Sequence, residues 1–284
     1  MLPKSEPLPM ENVLIVDAMN VAFRWKHSKD YTFADTYVAT VRSLARSYDC
    51  GQIIIAADMR GSSYRKELFP EYKGNRKDLV DAQTPEEKAE ADRFFKEYER
   101  TLEEMDKRFT VFRYPGVEAD DIAAYLVKRR REYGFNKIWL ISSDRDWDLL
   151  IKEDVSRFST VTRKEITLDT WPYDVSPEQY LCYKCLIGDK GDNIPGVPGV
   201  GPVRAKKVLE EYGTALDICD SAPLPGKYKY IEAINNSVDQ IRLNHELMDL
   251  ETYCEDAIGS ANILDIGRQL MMNERQETSG YKEN

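Results

Sequence analysis

Val13-Leu14-Ile15-Val16-Asp17 is a short, unbroken apolar run that stops on an acid. Such a run, rich in β-branched residues and without polar alternation, reads as a strand buried on both faces in the middle of a parallel sheet. Ile53-Ile54-Ile55-Ala56-Ala57-Asp58 repeats the pattern. Ile138-Trp139-Leu140-Ile141 repeats it again and runs through Ser142-Ser143 into Asp144-Arg145-Asp146. Thr110-Val111-Phe112-Arg113 is a further strand, and Gly116 turns it into Val117-Glu118-Ala119-Asp120-Asp121. Helices are predicted over 37–47 and after Asp121, where Ile122, Ala123, Leu126 and Val127 form one apolar stripe. Strands alternating with helices imply an α/β fold, a mainly parallel sheet covered on both faces, whose chemistry sits at the carboxyl ends of the strands. Polar alternation over 157–168 predicts an antiparallel hairpin at one edge.

Glu118, Asp120 and Asp121, taken alone, are a helix start whose acids suit the helix dipole. Their company changes the reading, because Asp17, Asp58, Asp144 and Asp146 end or follow strands and Asp189 and Asp192 stand in a Gly-containing turn. Carboxylates that converge repel one another unless a cation neutralises them. These nine acids therefore predict a two-metal phosphodiesterase site. No His or Cys lies at useful spacing, so the ligands are oxygens and the cation is hard, Mg²⁺ with Mn²⁺ as a substitute.

Residues 64–76 are basic and aromatic, with Arg65, Lys66, Tyr72, Lys73 and Arg76. Either Lys73 and Arg76 supply positive charge beside a scissile phosphate while Tyr72 stacks on a base, or the segment is a solvated charged surface. Arg24 joins the catalytic candidates from a second basic segment, with Lys26, His27 and Lys29, just beyond the first strand. The stretch 78–107 is highly charged and has no strand; it is either a solvated helical pair or a mobile arch over the site.

A change of subdomain is expected near Asp174. Ser176 as N-cap, Pro177 at the first helical position and Gln179 completing a capping box open a helix that Gly188 stops. Gly196-Val197-Pro198-Gly199-Val200-Gly201-Pro202 is a tight hairpin opening another helix, on which Ala205, Val208, Leu209 and Tyr212 share a face. Backbone N–H groups around Gly199 and Gly201, with Arg204, Lys206 and Lys207 in the next turn, suit a phosphodiester backbone gripped without reading its sequence. The alternative is a plain Gly/Pro connection between helices. Helices are expected over 228–247, a disordered lead-in over 1–11 and a flexible polar tail over 274–284.

The 284-residue chain carries a net charge of −10, which argues at first against a nucleic-acid partner. If the nine acids hold metal, the remainder is close to neutral, and charge has to be read by position. Five cysteines make no regular framework, and the single Cys182-x-x-Cys185 pair, with only two histidines, reads as structural thiols on a helix. No apolar run approaches the ~20 residues of a membrane span, and the N-terminus has no signal-peptide character. A soluble protein of a reducing cytoplasm is expected.

Taken together, Ile15-Val16-Asp17, Glu71-Tyr72-Lys73-Gly74-Asn75-Arg76, Val117-Glu118-Ala119-Asp120-Asp121, Ser143-Asp144-Arg145-Asp146, Gly188-Asp189-Lys190-Gly191-Asp192-Asn193 and Gly196-Val197-Pro198-Gly199-Val200-Gly201 closely resemble the 5′ nuclease family. That family includes the flap endonucleases and the 5′ nuclease domain of bacterial DNA polymerase I; order and spacing are most similar to the free-standing phage 5′-to-3′ exonucleases. The resemblance implies a PIN-like nuclease core over 12–174 with a helical arch at about 72–107, and a helix-hairpin-helix subdomain over 175–273. It implies a structure-specific DNase for 5′ flaps and 5′ ends, with Mg²⁺ held in two groups: Asp17, Asp58, Glu118, Asp120 and Asp121, and Asp144, Asp146, Asp189 and Asp192. Lys73 would contact the scissile phosphate, Arg76 assist and Tyr72 stack at the 5′ end. The carbonyls of Val197 and Val200 would hold K⁺ bridging to DNA. Val203 departs from the family pattern, which has a lysine there, so the grip on duplex is expected to differ. RNA–DNA hybrids are a further expected substrate, the chain is expected to be a monomer coupled to a polymerase only as a separate chain, and the location is the host cytoplasm if the protein is phage-encoded. The competing readings are a primer-removing RNase and a non-catalytic DNA-binding module.

Overall fold

In the computed structural model, which describes residues 11–280 and side chains through Met271, the run at 13–17 lies inside the sheet, with strands on both sides. It belongs to β1 (Glu11–Asp17), followed by α1 (Ala18–Ser28), α2 (Ala34–Ser47) and β2 (Gln52–Ala56). Then come α3 (Ser63–Leu68), α4 (Asn75–Asp81), α5 (Pro85–Asp106) and β3 (Thr110–Phe112). After α6 (Ala119–Lys128) and β4 (Phe135–Ile141), a 3-10 turn at Asp146–Leu150 leads to β5 (Val155–Phe158) and β6 (Glu165–Ile166).

The sheet order is β3-β2-β1-β4-β5-β6, parallel except for β6, which pairs antiparallel with β5 as the expected edge hairpin. Asp17 lies opposite Ala56 and Val16 opposite Ile141, so the ends of β1, β2 and β4 are level. The chain leaves β1 on one side through β2 and β3 and returns on the other through β4. Open α/β sheets bind ligands at such a reversal of strand order.

Alternation along β1 feeds two cores. Leu14 and Val16 pack with Trp25, Phe33, Tyr37, Phe94 and Tyr98 under α1, α2 and α5. Val13 and Ile15 face α6, with Ile122, Ala123 and Leu126. Each such fully buried aliphatic side chain contributes about 1.5–3 kcal/mol.

The charged stretch 78–107 divides in two. Phe94, Tyr98, Leu102 and Met105 fall on one helical stripe of α5 and are buried, so this half is core. α4 buries nothing, and its Leu79 and Val80 face solvent. Thr84 and Glu87 form a capping box that starts α5 at this division.

The second part begins with α7 (Pro177–Ile187), a two-strand pair β7 (Gly188–Asp189) and β8 (Ile194–Pro195), α8 (Pro202–Tyr212) and α9 (Ala215–Asp220). It continues with α10 (Lys229–Asn235), α11 (Val238–Met248), α12 (Leu250–Ile258) and α13 (Ser260–Gly280). Cys182, Cys185, Val197, Val200, Ala205, Val208 and Leu209 share its core. The expected capping box at Ser176 does not form: the Ser176 side chain caps nothing, and its carbonyl accepts the Gln179 N–H at 3.0 Å. Gly188 does end α7, at φ +75°, where a Cβ would stand 2.3 Å from the Gly196 nitrogen; only glycine fits. Leu250, Cys254, Ile258, Ile266 and Leu270 return to the α6 side of the sheet, so α12 and α13 complete the first core. The polar tail expected from Glu274 is helical backbone as far as Gly280; residues 1–10 and 281–284 lie outside the described ones. Among the described residues no helix is long and apolar enough to cross a membrane.

Candidate active site

Asp17 is both the last residue of β1 and the N-cap of α1, accepting the Asn20 N–H at 3.1 Å and the Ser142 hydroxyl at 2.7 Å. Burial, then the charge of Asp58, pushes its carboxyl up to about 8. Asp58, two residues past β2, accepts the Ala119 N–H at 2.9 Å and so clamps the start of α6. Its carboxyl is also raised, by burial and by Glu118. From α6, Asp120 accepts the Trp147 indole N–H at 2.5 Å and is raised well above the usual range by burial and by Asp144. Asp144 is exposed beyond β4 and accepts the Asp146 N–H at 3.0 Å. These contacts and mutual charges gather Asp17, Asp58, Asp120 and Asp144 at the switch point.

Cations hold the remaining acids. Glu118 accepts the Lys73 ammonium at 2.7 Å and the Tyr72 hydroxyl at 2.9 Å. Burial opposes its charge, but Lys73 and Arg65 outweigh burial and keep its carboxyl below the ordinary value. Asp192 accepts from Arg76 at 3.0 Å, with Lys73 at 3.6 Å, and it shares with Glu118 the single proton of the Tyr72 hydroxyl, which lies 3.0 Å away. Lys184, a buried residue of α7, bridges Asp146 and Asp189, 3.0 Å from the latter. Asp146 is raised to about 6 by burial against the pull of Lys184, whereas in Asp189 the same lysine overcomes burial and lowers the carboxyl. A small cleft is lined by Asp120, Asp146, Lys184, Asp189 and Asp192 together with the apolar side chains of Leu149, Ile194, Leu247 and Leu250.

Backbone stitches join the two parts. Lys73 adopts φ +55° and donates its N–H to the Asp192 carbonyl at 2.9 Å, Asn75 reaches the Lys190 carbonyl at 3.0 Å, and Asn193 reaches the Glu71 carbonyl at 2.8 Å. The base of the expected arch is thereby fixed to the turn that carries Asp189 and Asp192.

Two sequence expectations change. Tyr72 is 3% exposed, packed with Ile194, Leu247 and Met248, so its ring offers no open face for a base. Asp121 is fully buried, and both its oxygens are taken by Arg65, at 2.9 and 2.8 Å. Arg24 is exposed on α1, its guanidinium against Trp25. In the hairpin, the Val197 carbonyl accepts the Val200 N–H at 3.0 Å, Arg204 donates to the Gly199 carbonyl at 2.6 Å, and Val203 is 84% exposed. Gly201, Lys206 and Lys207 are also exposed there.

The residues fit divalent cations in kind and charge. The donors are all oxygens, four carboxyls are raised by burial and like charge, and the buried Tyr98 hydroxyl, in the field of Asp58 and Asp17, has no hydrogen-bond partner. Among the described residues, no three such groups stand in ligand geometry at one point. Lys73, Arg76 and Lys184 instead hold several of the acids in ion pairs.

Sequence reasoning passed over Arg65 and Lys184 as site residues. Arg65 is read there only as one member of the basic and aromatic segment 64–76, and Lys184 is not singled out. A buried pair, Arg157 and Asp148, was passed over too: it makes two hydrogen bonds at 2.6 and 2.8 Å, and Arg157 also donates to the Ser142 carbonyl at 2.8 Å.

Residues 12–174 match the 5′-3′ exonuclease N-terminal resolvase-like domain, and residues 175–265 the 5′-3′ exonuclease C-terminal SAM fold. The chain is 43% identical over 270 residues to the flap endonuclease of Escherichia phage T5, covering 92% of each. It is 30% identical over 266 residues to the thermostable DNA polymerase I of Thermus caldophilus, of which it spans only 30%. Among solved structures, the phage T5 flap endonuclease in a pseudo-enzyme-product complex with DNA and metal ions superposes with a TM-score of 0.88 at 41% identity, over 93% of this chain and 99% of that one. The T5 5′-exonuclease with bound zinc gives a TM-score of 0.88 at 42% identity over the same shares, 93% and 99%.

Proposed function

The chain belongs to the 5′-3′ exonuclease family, and we propose that it is a structure-specific 5′-to-3′ exonuclease and 5′-flap endonuclease that hydrolyses DNA phosphodiesters with two Mg²⁺ ions. The observation that carries this reading is the meeting of Asp17, Asp58, Asp120 and Asp144 at the switch point, with Asp17 pushed up to about 8 by burial and by its neighbour Asp58. Such a set either holds protons or is neutralised by concentrated positive charge, and a pair of divalent cations supplies that charge.

In this reading Asp17, Asp58, Glu118 and Asp120 form one side of the metal site and Asp144, Asp146, Asp189 and Asp192 the other. When bound, two such cations activate a water and neutralise the leaving oxygen. The protein's own groups place the substrate. Lys73 and Arg76, at the base of the arch, pair with Asp192 at 3.6 and 3.0 Å. They bind the scissile phosphate once the acids have other partners. The exposed α4 and the first turns of α5 form the arch for a single strand, and the hairpin with Arg204, Lys206 and Lys207 grips the duplex backbone. K⁺ at the Val197 and Val200 carbonyls belongs to the same proposal and is checked by replacing K⁺ with Na⁺ in a duplex-binding titration.

The test is a labelled 5′-flap duplex with Mg²⁺ or with EDTA, beside an RNA–DNA hybrid. Metal-dependent cleavage near the branch is expected. Its absence removes the nuclease reading, and cleavage of the hybrid alone replaces it with a primer-removing RNase.

A further inference from the structure

Arg65 is 3% exposed, yet it contacts two parts of the chain that are remote in sequence. Its guanidinium pairs with both oxygens of Asp121, at 2.9 and 2.8 Å, and stands 3.4 Å from Glu118 on the same helix start. Its remaining direction, Nε, donates to the Leu247 carbonyl near the end of α11 at 2.8 Å. Further along α11, the fully buried Asn244 donates to the carbonyls of Cys185 at 2.9 Å and Pro195 at 2.8 Å. Those carbonyls belong to the end of α7 and to the strand that opens the hairpin. A continuous hydrogen-bonded line therefore runs from the hairpin through Asn244, α11 and Arg65 to the acids at the start of α6. Tyr64 adds a parallel tie, donating to Glu246 of α11 at 2.9 Å and stacking on Tyr253 of α12.

We propose that Arg65 is a positioning residue that sets the α6 acids in register with the hairpin subdomain, so that where duplex is gripped and where the strand is cut are fixed together. The inference rests on the nuclease reading above. A planar fork suits this role, because two nitrogens fix a carboxylate in one plane while the third direction reaches a carbonyl. Lysine keeps the charge but cannot make both connections. Arg65 reaches no reacting atom itself; it acts through Glu118 and Asp121.

The test uses the full chain with Arg65→Lys and, separately, Asn244→Ala, which leaves every acid and cation of the site in place. Single-turnover cleavage of the flap duplex, DNA affinity in EDTA by fluorescence anisotropy, the distribution of product lengths and thermal melting are measured together. Expected for Arg65→Lys is a loss of about a hundredfold in single-turnover rate, the scale of a misplaced reacting group, with unchanged DNA affinity and a broadened set of cut positions. Asn244→Ala is expected to broaden the cut positions in the same way with a smaller loss of rate. A purely structural role would lower the melting temperature and leave cut positions sharp, and that result overturns the proposal. If Arg65→Lys does not fold, Asn244→Ala decides, and sharp wild-type cut positions there overturn it equally. Failure of the wild-type chain to cleave the flap is a separate outcome, which removes the nuclease reading and this inference with it.

Discussion

Replacing Asp148 by asparagine keeps its shape and removes its charge from one of the most enclosed ion pairs in the molecule. Asp148 is 1% exposed and Arg157 4% exposed; Asp148 accepts two bonds from Arg157, at 2.6 and 2.8 Å, and a third from the Tyr173 hydroxyl at 2.6 Å. The introduced amide would turn an NH₂ group toward a guanidinium that has no second anion in this set of contacts. Leaving one buried charge without its partner costs about 3–5 kcal/mol. For a domain of this size that corresponds to a fall in Tm of roughly 6–20 °C. The damage should also reach the site, because Arg157 holds the Ser142 carbonyl while the Ser142 hydroxyl donates to Asp17 and accepts the Asp144 N–H at 3.1 Å. Thermal unfolding followed by circular dichroism and flap cleavage at a permissive temperature measure the two effects. The double variant Asp148→Leu/Arg157→Met should regain much of the lost stability, since a buried pair replaced by apolar side chains is often close to neutral. An Asp148→Asn protein melting within about 2 °C of wild type, the range of an ordinary surface substitution, would refute the reasoning.

Asp120→Ala and Asp144→Ala should each abolish cleavage while leaving flap-DNA binding in EDTA largely intact; equal loss of binding in both would deny these acids a role specific to the chemistry. Val203→Lys adds a cation at an 84% exposed position of the hairpin helix, so duplex affinity should rise and the log–log salt slope steepen by about 0.9; an unchanged slope places this helix away from DNA. Glu97 holds the Ala34 N–H of α2 at 3.1 Å, and Arg100, against a burial effect, keeps its carboxyl below the usual 4.5. A folded value below the unfolded one means stability that is present above 4.5 and is lost as pH falls through the folded value. Glu97→Gln should therefore flatten the acid side of the Tm-against-pH curve, and an unaltered curve would assign that slope to other carboxylates.

What could be read from the chain and what could not divide along physical lines. A buried parallel strand is a continuous apolar run, so an acid at its end marks a place where the backbone leaves the core; Asp17 and Asp58 are visible for that reason. The switch point follows from strand order, which periodicity alone does not determine. The counter-charges were hidden because a lysine or arginine on a helix looks solvated until tertiary packing encloses it. Arg65 meets Asp121 across 56 positions, and Lys184 meets Asp146 across 38. The basic neighbours of Tyr72 suggest an exposed ring, whereas the apolar surface that buries it comes from Ile194, Leu247 and Met248, far along the chain.

The acids at the start of α6 show the same division within one turn of helix. Adjacent positions on a helix are turned about 100° from each other, so Asp120 and Asp121 cannot face the same partner. Asp120 points to Trp147 and the cleft, while Asp121 turns to Arg65. Acids that are neighbours in sequence thus split into one facing the chemistry and one anchoring the frame. A ligand count taken from sequence treats them alike. The distinction is open to a direct measurement: if Asp121 anchors Arg65, Asp121→Asn should lower thermal stability more than Asp120→Asn does, because only the former strips a buried cation of its bidentate partner. For Asp120, whose carboxyl is raised by burial and by Asp144, loss of charge relieves repulsion, and its Asn variant should melt at or above the wild-type temperature in EDTA. The opposite order of melting temperatures would place Asp121 among the cleft acids and Asp120 in the frame.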